Sequence, residues 1–433
     1  MKRLNRGVYD MEIVLFVLLL LFFLILGAHI GVALGGSSLI ILLLFATTNL
    51  NVLSQQVFSS VNDYALTAIP FFILVGEIIM EGNLAKRLLD LSDTFLKKIN
   101  GGGAIAAMFV SVFFAAVSGS SVASTSALGK NVVHLLGDKG YPKKFIAGLV
   151  ATGGTIGLLI PPSLSFILIG SIIGIPVIDL FTAGIVPGVM QGAMLILMTW
   201  WISKKNKWEV VDNNKISYKN IGQQAKSSIG VVLLPVLILG GIYIGLFTPT
   251  EAAAVAAFYA IFLVILYRSV NLKRLWFVFK NSLLQSGMIY LIVIGGSLTA
   301  FMLQSLGLSE ALIEYIIQFN ITGFKFLIVI NILLLFMGMF LDGISIIVLV
   351  SPLLFPVANS AGIDPIHFAV VLTLNIEVAA ITPPVGLNLF VMSGLTKIPA
   401  EEVAKGVGPY YIVLLLSLLL VTYFPILSLI LLK

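Results

Sequence analysis

Two groups of oxygen-bearing residues in this sequence have the types and the spacing to bind a small cation. Three serine hydroxyls cluster around Gly119, and residues 152–163 (TGGTIGLLIPPS) combine three glycines with two consecutive prolines. Glycine weakens a helix and proline removes an amide donor, so backbone carbonyls are freed there. Freed carbonyls and hydroxyls can bind sodium at a broken membrane helix. We therefore predict a first sodium site formed by Ser118, Ser120, Ser121, Gly157, Ile160 and Pro161. The alternative is that these small residues only allow close helix packing.

A second copy of this pattern lies farther along the chain. Residues 373–386 (TLNIEVAAITPPVG) contain Pro383-Pro384, which follows the first proline pair by 222 residues, and residues 338–343 (GMFLDG) form a second interruption. Fewer side-chain oxygens are present here, so the backbone would supply more of the ligands. The predicted second sodium site consists of Gly338, Gly343, Ala379, Thr382 and Val385.

Acids and helix starts near the predicted midplane could bind or orient a substrate. Acids in a membrane interior are costly unless they face water, an ion or a partner, although a hydrogen bond to freed amides remains an equal alternative for Glu377. Half-helices beginning near Ser121, Ser163, Ser345 and Gly386 would point their positive ends at the centre, which suits an anionic group. The substrate-binding candidates are Ser163, Asp342, Ser345, Glu377, Gly386 and Asn388.

The composition indicates the kind of scaffold that positions these residues. The chain has 433 residues, of which 59% are hydrophobic and 10% charged, and its mean hydropathy is +1.11. These values predict an all-α polytopic membrane protein. Cysteine is absent and only 3 histidines occur, which argues against disulfides and thiolate or histidine-rich metal centres. The net charge of +6 is assigned to cytoplasmic loop lysines rather than to a nucleic-acid surface.

The order of apolar segments predicts two repeats. Residues 1–10 form a polar start, and residues 11–202 form the first repeat with a helical hairpin at 101–136 and a broken helix at 142–175. A cytoplasmic loop at 203–228 follows. The second repeat, 229–433, contains a hairpin at 324–359 and a broken helix at 363–395. Amphipathic stretches at 84–99 and 308–318 are expected to lie along the membrane interface.

The lysines predict opposite orientations for the two hairpins. The first has basic residues at both ends, namely Lys97, Lys98, Lys139, Lys143 and Lys144. It would therefore enter from the cytoplasm and leave on the same face, and the second would enter from outside. An inverted repeat with two re-entrant hairpins and two broken transmembrane helices is typical of secondary transporters. The same counting places the N-terminus outside, whereas Lys2, Arg3 and Arg6 favour the inside, so its side stays open.

Four segments resemble a known family. They are AAVSGSSVASTSALG (115–129), GLLIPPS (157–163), PTEAAAVAA (249–257) and NIEVAAITPPVGLNLFV (375–391). These are similar to the large membrane subunit of the tripartite ATP-independent periplasmic (TRAP) transporters, and the resemblance covers the chain from about Met11. One departure is Val122, where many family members carry proline after the serine pair.

The resemblance implies a function and partners. Family members are sodium-driven importers of organic anions such as sialic acids and C4-dicarboxylates in the bacterial inner membrane. They work with a small four-helix membrane subunit, expected here as a separate chain, and with a soluble periplasmic binding protein. The family also implies an elevator mechanism in which about 101–175 and 323–395 move against a scaffold formed by the remaining spans. No enzymatic activity is expected, and no cofactor besides the coupling sodium ions.

Two other functions compete with this one. A self-sufficient sodium–anion symporter of the same superfamily would share the architecture and need no binding protein. An intramembrane hydrolase would need a base within hydrogen-bond reach of Ser118, Ser120 or Ser121. His134 lies about 20 Å along a helix from Ser121, so that alternative fails unless His29 or His367 approaches.

Overall fold

The computed structural model describes residues 2–45, 49–208, 218–319, 321 and 323–432, and these residues are helical or in short connections. The first half contains ten α-helices. They are α1 (Lys2–Ile25), α2 (Ile30–Phe45), α3 (Leu50–Val61), α4 (Ala68–Glu81), α5 (Leu84–Leu96), α6 (Gly102–Ser118), α7 (Ser121–Asp138), α8 (Lys143–Thr155), α9 (Leu164–Ile173) and α10 (Val177–Asn206).

The second half contains ten more. They are α11 (Tyr218–Tyr243), α12 (Pro249–Leu266), α13 (Leu272–Ser305), α14 (Leu308–Gln318), α15 (Gly323–Gly338), α16 (Gly343–Ser360), α17 (Pro365–Ala379), α18 (Leu387–Thr396), α19 (Ala400–Tyr423) and α20 (Ile426–Leu429). Single 3-10 turns precede α4 and follow α8 and α20.

The protein is a multi-pass membrane protein. In the described parts of the chain, six helices are long and apolar enough to cross a bilayer, or seven if α3 and α4, bent by 54°, form one span. Helices α6, α9, α15, α17 and α18 are apolar but shorter, with 10–17 residues. A helix rises about 1.5 Å per residue. Each of these short helices therefore spans only part of the hydrocarbon layer, as expected for elements that stop near its middle.

Three segments differ from the sequence prediction. Helix α1 begins at Lys2, so residues 2–10 continue the first helix and are not a separate polar start. Helix α3 was not predicted, because its sequence, LNVLSQQVFSSV, is too polar for a span. The predicted loop at 203–228 is shorter, since α10 ends at Asn206 and α11 begins at Tyr218. Residues 209–217 of that loop, including Lys215, lie outside the described residues.

Helix contacts divide the molecule into an inner and an outer group. The outer group pairs α2 with α13, α4 with α12 and α13, and α11 with α5 and α12. The inner group contains the helices that end at the breaks, together with α10 and α19. Helix α10 packs on α6, α9 and α17, and α19 packs on α8, α17 and α18. The sequence prediction placed α10 and α19 in the scaffold, but their packing joins them to the hairpins and broken helices.

Small residues set the closest helix approaches in both groups. In the outer group, a Cβ at Gly31 of α2 would lie 2.6 Å from the carbonyl oxygen of Leu291, and one at Gly35 would lie 3.1 Å from the Cα of Gly295. In the inner group, a Cβ at Gly148 of α8 would overlap the backbone of Gly406 in α19. Small side chains bring membrane helices together where apolar burial alone gives little driving force.

Candidate functional site

The first hairpin turns at Gly119 and Ser120, between α6 and α7. Gly119 ends α6 with a positive φ of 61°, which favours glycine, and the side chain of Ser120 caps α7 by accepting from the amide of Ala123. Ser118 Oγ donates to the carbonyl of Ser120 at 3.1 Å and lies 2.5 Å from Ser124 Oγ. The break therefore presents a compact group of buried hydroxyls.

The first proline pair lies directly against this turn. The amide of Leu164, just after Pro161-Pro162 and Ser163, donates to the carbonyl of Gly119 at 3.4 Å. A Cβ at Gly157 would lie 2.6 Å from the carbonyl oxygen of Ala115 in α6. The carbonyl of Ile160 accepts no hydrogen bond from any described residue. An unpaired carbonyl beside hydroxyls is the arrangement that a sodium ion requires.

The second hairpin turns at residues 339–342, between α15 and α16. Asp342 caps α16 by accepting from the amides of Ile344 and Ser345 at 3.1 and 3.2 Å, and it also accepts from the hydroxyl of Ser345. Asp342 follows Ser120 by 222 residues. The two hairpins thus cap their second helix at the same repeat position, one with a neutral hydroxyl and the other with a carboxylate.

The second proline pair meets the second hairpin in the same manner. The amide of Val385, just after Pro383-Pro384, donates to the carbonyl of Met339 at 3.2 Å. A Cβ at Gly338 would overlap the Cβ of Ala379, so Gly338 allows the hairpin to reach α17. Thr382, the repeat counterpart of Ile160, has a carbonyl that accepts no hydrogen bond from the described residues. Both X-Pro bonds within the proline pairs are cis.

One cavity of about 110 Å³ lies between the two hairpin turns. Its lining from the first repeat includes Ser120, Ser121 and Leu158, and its lining from the second includes Gly338, Asp342, Gly343, Ala379, Val385 and Gly386. The structure therefore brings members of both predicted sodium sites to one shared space. Among the predicted substrate candidates, only Asp342 and Gly386 line this cavity.

The four helix ends that face the centre are not equally free. Ser120, Ser163 and Asp342 each cap the following helix with their own side chain, and Ser163 also donates to the carbonyl of Leu158. Helix α18 is different, because Gly386 precedes it with a positive φ of 31° and no side chain caps it. The start of α18 is therefore the end whose amides are least occupied by the chain's own side chains.

Asn388 connects the two repeats instead of facing the cavity. Its amide nitrogen donates to Ser121 Oγ at 2.6 Å and to the carbonyl of Ala151 at 2.8 Å. The side chain is fully buried, and its oxygen has no partner among the described residues. A residue of the second broken helix thereby contacts a predicted ligand of the first sodium site.

Glu377 is fully buried and points away from the cavity. Gln191 of α10 donates to Glu377 Oε2 at 2.5 Å, whereas Glu377 Oε1 and Gln191 Oε1 have no partner among the described residues. The neighbours of Glu377, Ile376 and Ala379, do line the cavity. The carboxyl therefore lies one helix face behind the predicted second site.

Sequence reasoning missed two residues of this region. Ser124 shares a hydrogen bond with Ser118, and its signal was the continuation of the serine run in SGSSVASTS. Gln191 pairs with Glu377, and the signal was a single amide side chain within the apolar stretch 178–202. The roles of the predicted site residues stay predictions, because the structure shows their positions and not their ligands.

Comparison with known proteins follows the same direction. The family described as "Tripartite ATP-independent periplasmic transporter, DctM component" matches residues 16–427. The C4-dicarboxylate TRAP transporter large permease protein DctM of Pseudomonas aeruginosa is 38% identical over 402 residues, covering 92% of this chain and 93% of the relative. The sialic acid TRAP transporter large permease protein SiaM of Vibrio cholerae is 32% identical over 400 residues, covering 92% and 93%.

A solved structure shares the fold at low identity. The YdaH transporter of Alcanivorax borkumensis superposes with a TM-score of 0.64 at 13% sequence identity, covering 96% of this chain and 98% of that one. At this identity the likeness concerns the arrangement of helices and carries no information on substrate.

Proposed function

The chain belongs to the DctM component family of the tripartite ATP-independent periplasmic transporters, and we propose that it forms the large membrane subunit of a sodium-driven importer of an organic anion. The observation that carries this proposal is the duplicated junction. In each repeat a hairpin turn meets a proline-pair break through one backbone hydrogen bond, and both junctions border one cavity. Discontinuous helices meeting at the midplane are the binding architecture of secondary transporters.

Sodium would bind on the two sides of this cavity. At the first site the ligands are the hydroxyls of Ser118, Ser120 and Ser121 with the free carbonyl of Ile160 and the backbone of Gly157 and Pro161. At the second, the backbone of Gly338, Gly343, Ala379 and Val385 joins the free carbonyl of Thr382. Asp342 borders the second site and adds a negative charge, which favours a cation there.

The substrate anion would bind between the sodium sites, at the start of α18. Its amides carry a partial positive charge, and no side chain of the chain caps them. The cavity of about 110 Å³ is small beside typical ligand pockets of about 300–1,000 Å³. A four-carbon dicarboxylate therefore fits this proposal better than a nine-carbon sugar acid such as a sialic acid.

Transport would proceed by movement of the inner group of helices against the outer group. The two hairpins and the two broken helices form the moving unit, and α10 and α19 move with them because they pack on the same elements. The short amphipathic helices α5 and α14 would connect the two groups. The first hairpin would enter from the cytoplasm and the second from outside.

Two partners complete the proposed system. A periplasmic binding protein would deliver the anion, and a small four-helix membrane subunit, encoded as a separate chain, would lie against the outer helices. The expected location is the bacterial inner membrane, with lipid around the remaining apolar surface.

The test is uptake of a labelled C4-dicarboxylate and of labelled sialic acid into proteoliposomes. The vesicles contain this chain with its small subunit, and an inward sodium gradient and the binding protein are each added or omitted. The proposal predicts uptake that needs both additions. Sodium-driven uptake without any binding protein would instead identify a self-sufficient sodium–anion symporter, and uptake indifferent to sodium would contradict sodium coupling.

A further inference from the structure

Glu377 is a fully buried carboxyl whose surroundings contain no cation to neutralise it. Its exposed fraction is 0%, and its single hydrogen bond among the described residues comes from the neutral amide of Gln191. No ion pair to Glu377 is formed in the described parts of the chain. An ionised carboxylate in such a place is strongly disfavoured unless an ion compensates its charge.

The atoms left without partners fit a protonated acid. Glu377 Oε1 and Gln191 Oε1 are both buried and both unpaired. A carboxylic acid and a primary amide are complementary, because the acid can donate to the amide oxygen while the amide nitrogen donates to the acid. A proton on Glu377 supplies the missing donor, whereas an ionised Glu377 can only accept.

The compensating charge can come from the predicted second sodium site. Gly343 and Gly338 of the second hairpin press on Ile376 and Ala379 of α17. Glu377 lies about 200° around the helix from Ala379 and therefore faces α10. The carboxyl is not a direct ligand, but an ion beside Ala379 would lie roughly one helix diameter, about 10 Å, away. At that distance a unit charge changes a proton affinity by about tenfold.

We propose that Glu377 holds a proton while the second site is empty and gives it to water when sodium binds there, with Gln191 orienting the carboxyl in both forms. The exchange conserves charge, because one carboxylic acid becomes a carboxylate and one proton leaves as one sodium ion enters. This inference rests on the proposed sodium coupling and adds proton linkage at one named site.

Other titratable groups lie on the elements around α17, and the test must separate them from Glu377. The start of α16 carries Asp342, the start of α15 carries Lys325, and α17 itself carries His367 near its beginning. The charged or titratable groups of the two remaining long neighbours are Asp179, Lys204 and Lys205 on α10 and Glu401, Glu402, Lys405, Tyr410, Tyr411 and Tyr423 on α19. Helices α9 and α20 carry none.

The experiment is calorimetry of sodium binding to the purified complex in two buffers that differ in their enthalpy of protonation. The difference in heat gives the number of protons released per sodium ion. The test variant is Glu377→Gln, which mimics the protonated side chain. The matched control is Glu77→Gln, because Glu77 is also buried and accepts from a glutamine, Gln285, at 2.7 Å.

The expected result for the wild type is a release that peaks at about half a proton per sodium ion, which is the linkage value for a tenfold coupling. Half-saturating sodium should rise by about tenfold from about pH 9 to about pH 6 in the wild type and in Glu77→Gln. Glu377→Gln should release almost no proton and keep the lower affinity at every pH.

Two results would overturn the inference. Sodium binding to the wild type without proton release would do so even if the variant failed to fold, and an equal release from Glu377→Gln would assign the proton to another group. Absence of sodium binding in the wild type would remove the proposed sodium coupling itself, and with it this linkage, so the two failures are distinguishable.

Discussion

The two hairpin junctions share a backbone plan but differ in side-chain chemistry. Each has a hairpin turn, a proline pair and a backbone hydrogen bond that joins them. The first junction presents the hydroxyls of Ser118, Ser121 and Ser124, whereas the second presents the carboxylate of Asp342. The small residue at the close contact also changes position. It is Gly157 on the broken helix in the first repeat and Gly338 on the hairpin in the second.

This difference indicates which features the duplicated architecture needs. The breaks and the close approach are present twice, because both depend on backbone that glycine and proline provide. The ligand groups are not duplicated, and neither is the Glu377–Gln191 pair, whose repeat counterparts are Thr155 and Val413. We therefore expect side-chain substitutions to act mainly at the first junction and charge substitutions mainly at the second.

The largest effect is expected where the backbones touch. Gly338→Ala places a methyl group on the Cβ of Ala379, and overpacking of this kind costs about 1–3 kcal/mol. Uptake should fall more than about tenfold, as measured in proteoliposomes together with thermal unfolding in detergent. Gly394→Ala in α18 is the control, since a Cβ there meets nothing within 4 Å. Equal uptake by Gly338→Ala and the control would show that the second junction tolerates separation.

Removal of the charge at the second junction is expected to have the next largest effect. Asp342→Asn keeps a side chain that caps helices well, so stability should change by less than about 1 kcal/mol. Half-saturating sodium should rise about tenfold, because a nearby negative charge is lost. The comparison variant is Ser120→Ala, which removes the neutral cap of α7. If Ser120→Ala raised half-saturating sodium more than Asp342→Asn, the proposed difference between the junctions would be wrong.

Hydroxyl removal should affect the first junction more than the second. Ser118 Oγ contacts Ser120 and Ser124, whereas Thr382 Oγ1 donates to the carbonyl of Val378 at 2.6 Å within its own helix. Ser118→Ala should raise half-saturating sodium by about threefold to tenfold, the range of one polar interaction, and Thr382→Ala by about twofold. Ser305→Ala, at an exposed hydroxyl that donates to Phe301, is the control. An equal shift in both site variants would remove the distinction.

The smallest effect concerns the connecting helices. Burial raises the pKa of Asp90 on α5, with Lys86 opposing the shift and Asp93 adding to it, whereas α14 carries the acids Glu310 and Glu314 in its first two turns. A carboxyl whose pKa is raised in the folded state favours folding as the pH falls through that raised pKa. The wild type should therefore gain thermal stability below about pH 5 relative to Asp90→Asn. For a half-buried group this gain is less than about 2 °C in Tm. Parallel pH dependence of wild type and variant would contradict this.

The sequence predicted the breaks well because they are local. The hairpin turns at Gly119 and at 339–342, and the proline pairs, depend on residues whose backbone preferences act within a few positions. The amphipathic stretch 308–318 corresponds to α14 for the same reason, since its apolar spacing is a local pattern.

Contacts between distant elements could not be predicted in this way. Asn388 donates to Ser121 across 267 positions, and Gln191 donates to Glu377 across 186. The placement of α10 and α19 with the hairpins was also missed, because an apolar helix that is hydrophobic on all sides does not indicate which neighbour it packs on. Such pairings depend on the three-dimensional arrangement of the repeats.

The most direct test of this account is equilibrium binding of radioactive sodium to the purified complex, with the number of ions counted per chain. The account predicts about two ions for the wild type, and about one for the combined variant Ser118→Ala and Ser121→Ala, because neutral ligands are lost only at the first junction. Asp342→Asn should lower the affinity of the remaining ion. A wild type that binds no sodium, or a combined variant that binds as many ions as the wild type, would contradict the assignment of a sodium site to each junction.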